Sequence, residues 1–407
     1  MTTTKMRPFR ETIPLEDARS LIEGAVRALD RRERVPLNDA NGRVLAGDVV
    51  SSADVPPFAR AAMDGYAVRA ADTAGASRAA PRTLACIEQV FTGQMPAKHV
   101  GPGQCAEIAT GAPMPPGADA VVMVEETDPE TSGGIRVFSA VSPGQAIGRQ
   151  GADIRNGQTV LRAGEVLNAS RVGALAALGV VDVEVYEKPR VAILSTGNEI
   201  VDPGKALAPG QIYDINKFTV SAVVSEHGGV PVHYRTATDT LEDLSRAVDE
   251  CLAEDVLVFS GGSSVGERDL ILDVIKAKGE VLFHGIALKP GKPTAFGTVR
   301  GKPVFGLPGY PTSCLTNAYI LMAPALRRIA RLPPHAIRSV TLPLGQRIVS
   351  TTDRHQIYTV RVVDAVVMPA FKASGDITSM SQADGYIEIP AHTAALEKGA
   401  IVDVTLF

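Results

Sequence analysis

Residues Ser260 to Asp269 read Ser-Gly-Gly-Ser-Ser-Val-Gly-Glu-Arg-Asp, a run of glycines, hydroxyls and charges in which chemistry can be done. The apolar Val256-Leu257-Val258-Phe259 before it reads as a buried strand, and Leu270, Ile271, Val274 and Ile275 after it recur at helical spacing. A glycine-rich turn between a strand end and a helix start is an anion cradle. The glycines admit a ligand close to the backbone, and free N–H groups with the helix dipole favour phosphate or oxyanion. Hydrogen bonds to a charged group contribute about 1.5–3 kcal/mol each, against about 0.3–1 kcal/mol for the dipole. Converging N–H groups therefore dominate, which marks Ser260, Gly261, Gly262, Ser263, Ser264 and Gly266 as candidate binding residues. Asp269 offers a carboxylate at the helix start, as a chemical group or as a cap.

Three further loops share this character. Ser195-Thr196-Gly197-Asn198-Glu199 follows Val191–Leu194, and Lys289-Pro290-Gly291-Lys292-Pro293 follows Ile286–Leu288. Leu307-Pro308-Gly309-Tyr310-Pro311 lies between Val304-Phe305 and a long helical pattern. All are expected at the C-terminal ends of strands, where open α/β sheets gather their ligands. Gly and Pro also punctuate ordinary βα turns. The recurrence of Lys, Glu and Asp favours a ligand site.

The elements that position these loops fall into zones. Residues 14–30 form an amphipathic helix, with Pro14 suited to its first turn. From Ser51 to Pro143 short apolar runs at Leu84–Ile87, Ala106–Ala109, Ala120–Val124 and Ile135–Val137 predict a β-rich module. A helix at Ala169–Leu178 would return to pack on the N-terminal one. From Pro189 to Arg331 strands alternate with helices at Asn216–His227, Leu241–Leu252, Leu270–Lys278 and Thr312–Arg331, the pattern of a mostly parallel sheet. The last segment returns to short strands and predicts a compact β-barrel. The expected division is 1–50 with 144–180 as a discontinuous helical stem, 51–143 as the β-rich module, 181–332 as the α/β domain and 333–407 as the C-terminal β-barrel.

The whole chain sets bounds. At 407 residues it is too long for one ordinary core. A net charge of −4 argues against nonspecific nucleic-acid binding. No apolar run spans a membrane and the N-terminus lacks an apolar signal core, so a cytoplasmic location is expected. Cys86, Cys105, Cys251 and Cys314 show neither metal-site spacing nor a disulfide framework and read as reduced core thiols. His284 has no metal-ligand spacing with other histidines and reads as structural.

Ordered motifs over essentially the whole chain resemble the molybdopterin molybdenumtransferases, the MoeA family that includes the gephyrin E domain. They are Ala62-Met63-Asp64-Gly65-Tyr66-Ala67, Thr110-Gly111-Ala112, Gly117–Val122, Gly151-Ala152-Asp153-Ile154, the loops above, Arg354 and Gly375–Ser381. The resemblance implies a homodimer with four domains per subunit, its cleft formed by the α/β domain of one subunit and the β module of the other. It implies insertion of molybdate into adenylylated molybdopterin with loss of AMP, aided by Mg²⁺. By matching positions, Glu199, Asp239 and Asp269 are the acids and metal ligands, and Lys289 and Lys292 hold phosphate or molybdate. Asp64 and Thr110 close the cleft from the partner subunit, and Arg354 and Ser379 reach in from the last domain. Thr196, Gly197, Pro290, Gly291, Pro308, Gly309 and Pro311 complete the cofactor-binding set. A molybdopterin adenylyltransferase and downstream cofactor acceptors are the protein partners implied. Departures from the family pattern are Ala62 for Ser, Asn198 for Asp, Ser263 for Val and Tyr310 for Asn.

Two other readings stand beside this one. The α/β domain alone would suit adenylylation of molybdopterin with ATP, and the fold could serve as a pterin- or peptide-binding scaffold without turnover. The additional domains and Met63-Asp64-Gly65-Tyr66 favour the insertase, and the acids and lysines favour turnover over a scaffold.

Overall fold

A computed structural model of the chain describes residues 12–131, 133–235, 240–261 and 270–407. Two compact units emerge: residues to Glu33 together with Tyr186–Phe407, and Arg34–Val185.

Helix α1 (Leu15–Ala25) begins after Pro14 and carries Glu16 and Asp17 in its first turn, where the dipole favours acids. Its stripe of Leu15, Ala18 and Ile22 is buried with Val220, Phe283, Ile286 and Leu326 of the α/β layer. The expectation that this helix joins residues 144–180 in one stem is therefore corrected. The backbone explains why: Ile13 bridges Ile286 in parallel, and Ala287 N–H donates to Ile13 O at 2.8 Å. Periodicity shows that a face is buried, not what buries it.

In the Arg34–Val185 unit, strands β1 (Gly65–Val68), β2 (Arg82–Val90), β3 (Gln104–Ile108), β4 (Ala120–Met123), β5 (Thr127–Pro129) and β6 (Gly134–Val137) form one sheet in the order β4-β1-β3-β2-β6-β5. The β2/β3 pair is parallel and the others are antiparallel. Alternation along the strands buries both faces, with Tyr66, Val68, Cys105 and Val122 on one side and Ala67, Ala106, Ile108 and Val121 on the other. The four expected runs coincide with these strands, with Ala109 and Val124 just past the ends of β3 and β4; β1 carries a motif but no alternation, since Gly-Tyr-Ala-Val is buried throughout. Helix α2 (Ala169–Ala177), capped by Asn168, buries Leu175 with Leu45, Leu167 and Val185 in a separate small core.

The second sheet comprises β7 (Arg190–Ser195), β8 (Val230–His233), β9 (Val256–Ser260), β10 (Gly279–His284), β12 (Ala295–Val299) and β13 (Lys302–Leu307), with β11 (Leu288–Lys289) set apart. Its order is β8-β7-β9-β13-β12-β10. The first four strands are mutually parallel, and β12 runs antiparallel to both its neighbours. Helices α3 (Asn216–Glu226), α4 (Leu241–Cys251), α5 (Leu270–Lys278), α6 (Pro311–Asn317) and α7 (Ala323–Ile329) cover it. Between α6 and α7, Ala318–Met322 forms a π-helical stretch. Pro324, at the start of α7, cannot donate its backbone nitrogen, which accounts for the interrupted ladder.

The last segment contributes β14 (Ser339–Pro343), β15 (His355–Val363), β16 (Val366–Pro369), the short helix α8 (Thr378–Ser381), β17 (Gly385–Ile389) and β18 (Ile401–Leu406). The sheet order is β11-β15-β17-β18-β14, with β16 also on β15. The sheet curls, because Leu344 beyond β14 bridges Val367 in β16. Val360, Val367, Ile387, Ile389 and Val404 fill its interior. Among the described residues no helix is long and apolar enough to cross a membrane.

Candidate functional site

Three of the four loops meet at the C-terminal edge of the parallel strands. Thr196 N–H donates to Ser260 O at 3.0 Å, and Gly261 N–H to Leu307 O at 3.3 Å, so the chain ends of β7, β9 and β13 are stitched together. Gly261 has φ +97°, and a Cβ there would lie 2.6 Å from Thr196 O. Only glycine fits this crossing. Gly309 lies next to it, since a Cβ on Gly309 would be 3.4 Å from Gly261 Cα. Pro308 leads into this turn, and Pro311 opens α6 where a missing N–H costs nothing.

The Lys289–Pro293 loop departs from expectation: it is not a βα turn. It lies between β10 and β12, and it still reaches the same end of the sheet because β10 runs parallel to β13 with β12 reversed between them. Asn317, at the end of α6, donates to Gly291 O at 3.1 Å, and Thr294 Oγ1 donates to the same oxygen at 2.8 Å. Thus α6 touches the site at both ends, through Pro311 at its start and Asn317 at its finish.

The last sheet completes this unit's site. β11 pairs in parallel with β15, Leu288 opposite His355 and Lys289 opposite Gln356, which brings Arg354 beside the lysine loop. Arg354 Nε donates to Asp353 Oδ2 at 3.0 Å. That bond comes first in holding the Asp353 carboxyl below the usual carboxylate range, and nearby Lys292 adds to it. An oxyanion bound by Arg354 would have to compete with Asp353. Ser379 is fully buried, and its hydroxyl accepts from Lys372 N–H at 3.0 Å. Its segment docks on α6 through Thr312, whose N–H donates to Ser374 O and whose hydroxyl donates to Asp376 O at 2.9 Å. Ser379 therefore helps shape the loop through the one hydrogen bond it accepts.

The acids divide. The Glu199 carboxylate curls back over Gly197, within 2.7 Å of where a Cβ would stand, and the residue is exposed. Asp239, Asp269, Gly262, Ser263, Ser264 and Gly266 lie outside the described residues. Among the described residues no group of three or more His, Cys, Asp or Glu side chains is placed to hold a metal ion. His284 is consistent with a structural role, being partly buried at the end of β10.

Asp64 and Thr110 belong to the Arg34–Val185 unit and meet directly. Asp64 Oδ1 accepts from Thr110 N–H at 2.6 Å. They sit where β1 begins and β3 ends, beside a cavity of about 160 Å³ lined by Asp64, Tyr66, Gln89, Phe91, Glu107 and Val124. The Thr110 N–H first, and its hydroxyl second, hold the Asp64 carboxyl below the usual carboxylate range. A depressed folded-state value contributes stability above the unfolded value of about 3.9, and that contribution is lost as pH falls through the folded value. In Asp64→Ala, Thr110 amide exchange should therefore rise at neutral pH. The difference in melting temperature from the parent should shrink as pH drops below about 3.9; a constant difference down to the acid limit would contradict the role assigned to the carboxylate.

Sequence reasoning missed Asp214, Asn216 and Asn317. Asn216 Nδ2 donates to Ser260 Oγ at 2.7 Å and Gly309 O at 2.8 Å, tying α3 to two loops. Asp214 Oδ1 accepts from Lys217 N–H at 3.0 Å and so caps α3. The signal available was Asp214-Ile215-Asn216 before a helical run, which reads only as a cap. Asn317 sits inside an apolar helix and carries no local signal.

A glycine-loop cradle at the end of a parallel sheet, with the lysine loop and Arg354 beside it, defines an α/β domain of the class that gathers its ligands at the strand ends. Comparison with known proteins makes this specific. The family model described as "MoeA N-terminal region (domain I and II)" matches residues 13–179, "Probable molybdopterin binding domain" matches 192–328 and "MoeA C-terminal region (domain IV)" matches 341–407. Molybdopterin molybdenumtransferase 2 of Mycobacterium tuberculosis is 34% identical, covering 91% of this chain and 94% of its own. The molybdopterin molybdenumtransferase of Haemophilus influenzae is 35% identical over 83% of each chain. The crystal structure of a molybdopterin biosynthesis MoeA protein from Pyrococcus horikosii superposes with a TM-score of 0.85 at 41% identity, over 97% of this chain and 99% of that one. The chain belongs to the MoeA family.

Proposed function

We propose that this protein is a molybdopterin molybdenumtransferase of molybdenum cofactor biosynthesis, inserting molybdate into adenylylated molybdopterin with release of AMP. The observation that carries this reading is the joining of the Thr196, Gly261 and Gly309 loops into one cradle, with the Lys289–Lys292 loop and Arg354 beside it. In this reading the backbone N–H groups of the cradle hold the phosphates. Lys289, Lys292 and Arg354 supply fixed positive charge for the phosphoanhydride and for molybdate, the arrangement that stabilises developing negative charge most effectively. The carboxylate oxygens of Glu199, Asp239 and Asp269 suit a hard divalent cation, and Mg²⁺ would be held there. When bound, it would polarise the phosphoanhydride as a Lewis acid.

The active form in this reading is a homodimer, with Asp64 and Thr110 of one subunit closing over the α/β cradle of the other. The four-domain division belongs to the same proposal, with residues 34–50 and 144–180 as the remaining stem, and with the curled last sheet taken as a small barrel.

Single-turnover incubation of the purified protein with adenylylated molybdopterin, Mg²⁺ and molybdate tests it, with AMP release and reconstitution of an apo-molybdoenzyme as readouts. Molybdate-dependent AMP release with active cofactor is expected. ATP consumption with unmodified molybdopterin would instead make it an adenylyltransferase. Pterin binding without either product would make it a scaffold.

A further inference from the structure

Beside the phosphate cradle lies a cluster of buried oxygen atoms that the transferase reading does not use. Ser195, Asp214 and Asn216 are 4%, 3% and 7% exposed. Among the described residues, Ser195 Oγ, Asp214 Oδ2 and Asn216 Oδ1 have no hydrogen-bond partner. Buried polar atoms in folded proteins are satisfied as a rule, so these exceptions call for an occupant. Their roles are chemically fixed. Both protons of the Asn216 amide are engaged, by Ser260 Oγ and Gly309 O, so the amide cannot flip and its Oδ1 must accept. Asp214 uses Oδ1 to cap α3, which leaves Oδ2 as a charged acceptor. Ser195 stands opposite Ser260 in the β7/β9 register, so both point to one face. Asp214 belongs to the same cluster: its charge adds to burial in pushing the Cys314 thiol up to about 12, and Cys314 Sγ lies 3.8 Å from Ser260 Oγ.

We propose that Asp214, Asn216 and Ser195 form a subsite that reads the 2-amino-4-oxopyrimidine edge of the pterin. The assignment rests on the transferase reading. Two unpartnered acceptors at the start of α3 call for N–H donors, and this edge supplies two, N3–H and the 2-amino group, with its 4-oxo group left for the Ser195 hydroxyl. The adenine of the AMP moiety does not match, because its amino group is flanked by ring-nitrogen acceptors. A carboxylate also repels phosphate oxygens at close range, so the subsite suits the end of the substrate that carries no phosphate.

The test uses the full-length protein, which has no tryptophan to overlap pterin fluorescence. Binding of pterin-6-carboxylate is compared with lumazine-6-carboxylate, in which an oxo group replaces the 2-amino group. The pterin should bind at least about tenfold more tightly, since a site built for a donor rejects an analogue lacking it. Asp214→Asn keeps the cap acceptor and the shape but turns a donor toward the ligand, and should reverse the preference. Equal affinity, or no measurable binding of either, while adenylylated molybdopterin is still turned over, overturns the subsite and leaves the transferase reading standing. Loss of AMP release in the wild-type protein overturns the reading itself.

Discussion

Gly261→Ala should abolish molybdate-dependent AMP release and lower the melting temperature. At φ +97° an L side chain is strained, at a cost of roughly 1–2 kcal/mol. The new Cβ would also stand 2.6 Å from Thr196 O, a backbone atom that cannot swing aside. Forced overpacking adds roughly 1–3 kcal/mol. The stability loss should therefore be about 2–5 kcal/mol, near the upper range for single substitutions. The chemical effect should be larger, because relief requires the Thr196 and Gly261 loops to move apart. A displacement of about 1 Å in a positioned site can cost ~100-fold in rate. Thermal melts and single-turnover AMP release on the same sample would check both. A variant with near-parental turnover would show that the crossing of these loops does not set the cradle.

Lys292→Met should retain the fold and lose turnover. Its side chain lies close enough to Asp353 to help depress that carboxyl, which places the ammonium on the face shared by Arg354 and the lysine loop. Removing one donor aimed at developing negative charge costs about 10²–10³ in rate in comparable sites. Lys292→Arg keeps the charge but spreads it over a planar fork, so partial recovery is expected. A melting temperature unchanged in both variants would assign the loss to chemistry. Turnover of Lys292→Met within a few-fold of the parent would remove the lysine from the mechanism.

Much of this site was legible in the sequence because its parts are backbone devices. Ser195–Gly197, Ser260-Gly261 and Pro308-Gly309 are local strand–turn–helix signals, and they converge because parallel strands end on the same side. What was illegible depended on partners distant in sequence. Asn317 is one polar residue in an apolar helix, and only its contact with Gly291 gives it a role. The burial of α1 with the α/β layer turned on Ile13 pairing with Ile286, which no periodicity contains. The Lys289–Pro293 loop was placed at the correct end of the sheet for an incomplete reason, since an antiparallel β12 carries the chain back beside β13. Ser379 is buried and accepts from Lys372 N–H, a bond that no local pattern announces.

The strand β11 lies between the sheet strands β10 and β12 in sequence but forms its ladder with β15. Such a segment behaves as a bridge anchored on two banks. Any rigid-body slide of the terminal sheet would pull on Lys289 through main-chain hydrogen bonds, with no side-chain relay in between. It also sets where the gene can be cut. A break after Leu332 would sever the chain at a natural joint, yet leave the lysine loop with its outer bank removed. The unit of inheritance for this catalyst is therefore larger than the α/β domain that carries its glycine-loop cradle.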